Sequence, residues 1–184
     1  DLDIIAIPTF CCTFKTGKKY KSHDSKITAF SIYLKVKNTG SASAEIDKIQ
    51  IEYHNYSFKY KFFWFWLNST VSLKDFSYPI GENFHFYPFL IQTSTILPQS
   101  NSLYLKSGQS TNGIVYFEQS ESYGSYVPKE KKGKVKIKIR VFDIYNNVHS
   151  KTFWIPIVDL EYAKKYNDKF GQTLEEIKRN EIID

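Results

Sequence analysis

Between Lys134 and Val141 the chain alternates without a break. Lys134, Lys136, Lys138 and Arg140 fall on one parity, and Val135, Ile137, Ile139 and Val141 on the other. Successive side chains of a strand point to opposite faces, so this run fits a strand with one face in a core and one in water. In a helix the same apolar residues would be scattered around the axis and could not share a buried stripe. Strands of parallel sheets are buried on both faces, so a one-sided pattern points to antiparallel pairing.

The same period recurs upstream. Across Ile27–Lys37, Phe30, Ile32, Leu34 and Val36 oppose Ser31, Tyr33, Lys35 and Lys37, and Asn38-Thr39-Gly40-Ser41 then supplies turn chemistry. Ile46, Ile49, Ile51 and Tyr53 resume a strand whose first step is disturbed by Asp47-Lys48. Tyr56–Leu67 is nearly all aromatic, and Ile114–Glu118 is a further short strand. Asp143–Asn147 reads as a turn and Thr152–Val158 as the partner of the Lys134–Val141 strand. Short strands separated by Gly, Asn and Ser turns, with no helices between them, predict an antiparallel sandwich or barrel, and a β-sandwich over residues 1–158 is the expected form. The length, 184 residues with 42% apolar content, suits one domain with its own core and excludes a disordered chain. No run reaches the ~18 apolar residues of a membrane span.

After Asp159 the period changes. Asp159 can cap a helix starting at Leu160, with Leu160, Ala163, Tyr166 and Phe170 three to four residues apart. Gly171 suits a left-handed helix end, and Thr173-Leu174-Glu175-Glu176 is a capping box. One or two short helices over 159–184 are therefore expected to dock on the β domain.

Ser31-Ile32-Tyr33-Leu34-Lys35-Val36-Lys37-Asn38-Thr39-Gly40 resembles an element of the immunoglobulin-like, telokin-like domains of prokaryotic surface proteins. Leu105-Lys106-Ser107-Gly108-Gln109-Ser110-Thr111-Asn112-Gly113-Ile114-Val115-Tyr116-Phe117 is similar to their "L-x-x-G-x-S-x-x-G-x-V-x-F" element. The resemblance spans roughly residues 27–118. It implies an immunoglobulin-like sandwich without catalytic residues, displayed outside the cell behind a signal or membrane anchor, with a binding, adhesion or scaffolding role. The chain starts at Asp1 and contains no Met, which fits an anchoring segment upstream. The Cys…Trp…Cys spacing of antibody domains is absent, so no core disulfide is expected.

Reaction signatures are missing. No HExxH, GxSxG, GxxxxGK or GxGxxG occurs in the sequence. His23, His54, His85 and His149 stand apart. An enzyme with a site assembled across strands is the alternative, and His85 between two phenylalanines or His149 near the Asp143 turn would serve it. The expected state of both is a half-exposed strand or turn histidine. The Asp143–Asn147 oxygens lack calcium-loop spacing and are expected to close the hairpin instead. Adjacent Cys11 and Cys12 lack a CxxC or His companion and are expected as buried or reduced thiols. No metal and no cofactor is expected.

Two features concern binding. The net charge is +6, and Lys134, Lys136, Lys138 and Arg140 form a basic stripe joined by Lys129, Lys131 and Lys132. It could meet an anionic surface, although a solvated outer strand face looks the same. No nucleic-acid-binding signature accompanies it, so nucleic acid is not the expected partner. The aromatic segment places Tyr60, Phe62, Trp64 and Trp66 on one parity, a row suited to stacking on a cell-surface glycan or to the centre of a protein contact. A carbohydrate-binding module using that row is thus a further alternative, against burial of the rings in the core.

Overall fold

The computed structural model describes residues 1–55, 64–68, 76–80, 83–87, 103–119, 122, 126–168 and 170. Its strands are β1 (Leu2–Tyr20), β2 (His23–Asn38), β3 (Ala44–Tyr53), β4 (Phe65–Asn68), β5 (Phe76–Ile80), β6 (Asn83–Tyr87), β7 (Leu103–Leu105), β8 (Ser110–Glu118), β9 (Glu130–Lys131), β10 (Lys134–Asp143) and β11 (Val148–Val158). One helix follows, α1 (Leu160–Lys164). The protein is mainly β. Nine strands form one sheet, in the order β4-β3-β10-β11-β1-β2-β8 with β7 beside β3 and β9 beside β10, and β5 and β6 pair separately. Among the described residues no helix is long and apolar enough to cross a membrane.

This sheet is folded back on itself. In its strand order β2 lies four places from β3, which at about 4.8 Å per strand would be about 19 Å in a flat sheet. The Phe30 ring on β2 and the Tyr53 ring on β3 are instead 5.1 Å apart. The inward parities of β2, β3, β8 and β10 meet in one core that includes Phe30, Ile32, Leu34, Ile49, Ile51, Val115, Phe117, Ile137 and Ile139. The predicted core residues Ile32, Leu34, Val36, Val135, Ile137, Ile139 and Val141 are all fully buried. Inside this core the Tyr53 hydroxyl is anchored by the Gln119 side-chain amide and the Tyr126 carbonyl, each 3.0 Å away.

Antiparallel pairing holds except at one seam. Strand β1 runs parallel to β11 at Cys11–Ile157 and Cys12–Val158, and there it joins the two halves of the sheet. Strand β1 is also long and irregular. Its register against β2 slips between Ala6 and Thr9, around Pro8, and again between Lys15 and Lys19, where Gly17 takes φ +79°. Proline cannot donate a ladder hydrogen bond, so it sits naturally at a bulge. An extra residue in one strand exchanges its faces. Leu2 and Ile4 therefore face the main core on even numbers, whereas beyond the first bulge Cys11 faces it on an odd one.

The same device explains the broken step in β3. Phe142 pairs with Lys48 and Asp143 with Ile46, so Asp47 is bulged out and the three-residue spacing of Ile46 and Ile49 still leaves both buried.

Of the C-terminal segment expected to dock, residues 159–168 and 170 are described, and they pack against the sheet. The Asp159 carboxylate accepts from the Tyr162 amide at 2.7 Å and caps α1. Ala163 and Phe170 are buried with Phe10, Cys12, Phe14, Ile27, Ala29 and Ile114 in a second core on the outer face of β1, β2 and β8. Phe10 sits 5.2 Å from the Tyr166 ring and 5.9 Å from Phe170, and Phe170 meets Tyr116 edge-on. This cover also buries Ser31, which alternation alone would leave wet. Gly171, the Thr173–Glu176 capping box and any second helix lie outside the described residues.

Candidate binding face

The outward parity of β10 is shared with the outward residues of β3 and β11, and pair registers fix who meets whom. Lys138 lies opposite Glu52 and Thr152, Arg140 opposite Gln50 and Ser150, Lys136 opposite Trp154, and Lys134 opposite Lys131 and Pro156. Glu52 is only 6% exposed. It holds two of the four stripe cations, the Lys138 ammonium at 2.5 Å from Oε2 and the Arg140 guanidinium at 3.0 Å from Oε1. A carboxylate this buried needs such partners, because unpaired burial of a charge is strongly unfavourable.

Aromatic rings interleave the cations. Trp64 is half-buried, with the His54 ring 3.9 Å from its own and the Lys138 and Lys136 ammoniums 4.7 Å and 5.9 Å from its centroid. Phe142 lies between Lys48 at 4.6 Å and Arg140 at 4.8 Å. Each such contact contributes about 0.5–1 kcal/mol at a partly exposed site. Lys136 and Lys138, expected to stand free in water, are half-exposed: both ammoniums lie over the tryptophan ring, and Lys138 also pairs with Glu52.

The aromatic row meets the structure only in part. Tyr60 and Phe62 lie outside the described residues, as does the Trp66 side chain. The β4 ladder begins at Phe65, so Trp64 precedes it, and Phe65 packs inward beside Tyr53 and Tyr126. Of the two tryptophans whose side chains are described, the more open is one the sequence reading passed over. Trp154 is 49% exposed on β11. Counting outward from the Asp143–Asn147 turn would have placed it opposite Lys136, because the hairpin register is unbroken.

One end of the fold carries a different constellation. The Asp143 carboxylate accepts from the Tyr145 and Asn147 amides, each at 2.9 Å, and from the Asn147 side chain at 2.8 Å, the expected turn closure. Burial works against its charge, but these bonds outweigh it and hold the carboxyl below the usual range. Beside it lies a cleft of about 350 Å³ lined in part by Asp1, Ser41, Ser43, Tyr145 and His149. His149 Nδ1 faces the Asp1 carboxylate at 3.1 Å and the Leu2 amide at 3.4 Å. Neither serine forms a hydrogen bond to it, so the nucleophile–base contact of a serine hydrolase is not assembled there. The His85 side chain lies outside the described residues, and among those described no three His, Cys, Asp or Glu gather as metal ligands.

Cys11 and Cys12 are both buried free thiols, one in each core. Burial pushes Cys11 up to about 12 and Cys12 up to about 11, so neither carries the thiolate that redox or nucleophilic chemistry requires. No known protein family matches the chain, and no curated protein is detectably similar to it.

Proposed function

We propose that this chain is a non-catalytic, immunoglobulin-like β-sandwich domain of a surface-exposed protein, serving a binding, adhesion or scaffolding role through the outer face of β3, β10 and β11. Strand order supports the fold reading. Lettered along the chain, β1, β2 and β8 take the A, B and E places on one wing, and β4, β3, β10 and β11 take C′, C, F and G on the other. Placement outside a membrane anchor rests on the resemblance of the 31–40 and 105–117 segments.

The observation that carries the role is the composition of the outward face. Lys134, Lys136, Lys138 and Arg140 share it with Trp64 and Trp154, and Glu52 is the acid set among them. A rigid strand holds these groups in line, so little conformational freedom is lost on binding. The test is retention of the purified domain on an envelope fraction of the source cells. A Lys134→Glu/Lys136→Glu variant with an unchanged melting curve should lose retention. Equal retention of both proteins would refute a role for this face.

A further inference from the structure

The stripe is not uniform along its length, and the difference says where a ligand would sit and of what class. Lys138 and Arg140 are engaged by Glu52. At the other end Lys129, Lys131, Lys132 and Lys134 are exposed and form no ion pair with any described residue. Lys131 and Lys134 are the closing pair of the β9–β10 hairpin and lie directly opposite each other, an arrangement in which like charges repel. Glu130 gives no relief on that face, because it pairs with Val135 on the other parity and its carboxylate accepts from the Gly133 amide. The two-residue loop between them has φ +54° at Lys132 and +71° at Gly133. Both values fit a type I′ turn, whose first position ordinarily favours Asn, Asp or Gly. The fold therefore tolerates a left-handed lysine and an opposed lysine pair beside an exposed tryptophan.

We infer that the patch formed by Lys131, Lys132, Lys134, Lys136 and Trp154 binds an anionic polysaccharide, a sugar ring stacking on Trp154 while its carboxylate, sulfate or phosphate groups lie against the lysines. This rests on the reading of the outer face as a binding surface and names the ligand for it. The charge is complementary to a polyanion, and binding relieves the Lys131–Lys134 repulsion. The patch lies on an open strand face, while the cleft at the other end borders none of these lysines, so an extended polymer suits it better than an enclosed small molecule. Thr152 and Ser150 continue the outward parity of Trp154 with exposed hydroxyls that can bond to sugar hydroxyls. Single-stranded nucleic acid is served by successive stacking platforms, and among the described rings of this face Trp154 stands open while Trp64 is flanked by His54 and Lys138. An anionic membrane would be met by a wider apolar tip than Trp154 and Pro156 provide.

The experiment is equilibrium binding across a salt series to heparin, polygalacturonate, neutral dextran, an oligothymidylate and phosphatidylglycerol vesicles. Heparin and polygalacturonate should bind at least about tenfold tighter than the other three. Trp154→Ala should weaken them about fivefold or more, in line with the loss of one stacking platform. Lys131→Gln/Lys134→Gln should reduce the salt slope by about two. Lys35→Gln/Lys37→Gln, on the other wing, should change neither. Equal or tighter binding of the oligothymidylate or the vesicles, still lost in the Trp154 and Lys131/Lys134 variants, would overturn the polysaccharide class while leaving the face a binding surface. Polysaccharide binding indifferent to all these variants would place the site elsewhere and overturn the inference. Loss of envelope retention without polysaccharide binding would do so as well.

Discussion

Ile137→Ala tests the folded-back sheet at its centre. Ile137 is fully buried on β10, between Tyr53 on β3 and Phe153 on β11. The change removes three carbons, about 2.4 kcal/mol of transfer free energy at about 0.8 per buried methylene. Neighbours that are themselves fixed by strand ladders cannot collapse fully. If roughly 40 Å³ stays empty, at about 24 cal/mol per Å³, the cavity adds about 1 kcal/mol. The expected loss is therefore about 3.4 kcal/mol, which for a domain of this size lowers Tm by roughly 7–14 °C. Urea unfolding followed by tryptophan fluorescence reads it directly, with an unchanged m-value showing that the two end states are the same. Lys136→Ala, one residue away on the opposite face, gives up a cation–π contact at 5.9 Å and should cost no more than about 1 kcal/mol. A loss below about 1 kcal/mol for Ile137→Ala, or equal losses at the two positions, would refute the assignment of faces and with it the shared core.

Other positions report on other parts of the fold. Burial raises the Glu118 carboxyl, partly offset by the 2.7 Å hydrogen bond from the Tyr116 hydroxyl. A raised folded-state pKa means that its contribution to stability is full below the unfolded value and is lost as pH rises through the folded one. Glu118→Gln should therefore stabilise the protein at neutral pH and be close to neutral near about pH 4; the same effect at both pH values in denaturant titrations would contradict this. Phe170→Ala should undock the C-terminal segment, raising hydrophobic-dye binding and lowering stability by about 3 kcal/mol, with no dye response as the contrary result. Asp143→Ala removes an acceptor of three hydrogen bonds and should cost about 1–3 kcal/mol by thermal melting, with the β10–β11 register as the part at risk. Lys132→Asn keeps a residue that accepts positive φ and should gain about 0.5–1 kcal/mol in the same assay; a loss would show that the lysine itself supports the turn.

How much of this was legible depended on whether a strand kept its parity. Strand β10 and the second half of β2 do, and their buried residues could be named from the sequence. The N-terminal strand could not be read this way. The bulge near Pro8 exchanges its faces, the register slips again around Gly17, and both faces meet apolar cores, so β1 shows no clean alternation. In β3 the same disturbance was visible as Asp47-Lys48 but not its resolution, because a bulge is defined by the partner strand. The candidate face was legible in the charges of its Lys134–Arg140 stripe, which lie on one strand. Its aromatic members come from other strands. Trp64 reaches the lysines through the β3–β10 ladder, a neighbour relation that local spacing does not show, whereas Trp154 reaches them through the β10–β11 hairpin, whose register could be counted out from the Asp143–Asn147 turn. Glu52 reads as one polar residue among several, and only register reveals that it engages Lys138 and Arg140.

The two adjacent cysteines make β1 a pair of built-in clocks. One thiol lies in the shared core and the other beneath the docked helix, on opposite sides of the same strand. A buried thiol reacts with an alkylating reagent only when its surroundings open, so labelling at each sulfur reports the opening rate of its own compartment. Cys12 should be modified at the pace at which the C-terminal segment lifts away, and Cys11 at the slower pace of unfolding of the whole sheet. Mass mapping of the two adducts over time would thus separate fraying of the cover from loss of the body, without adding a probe to the chain.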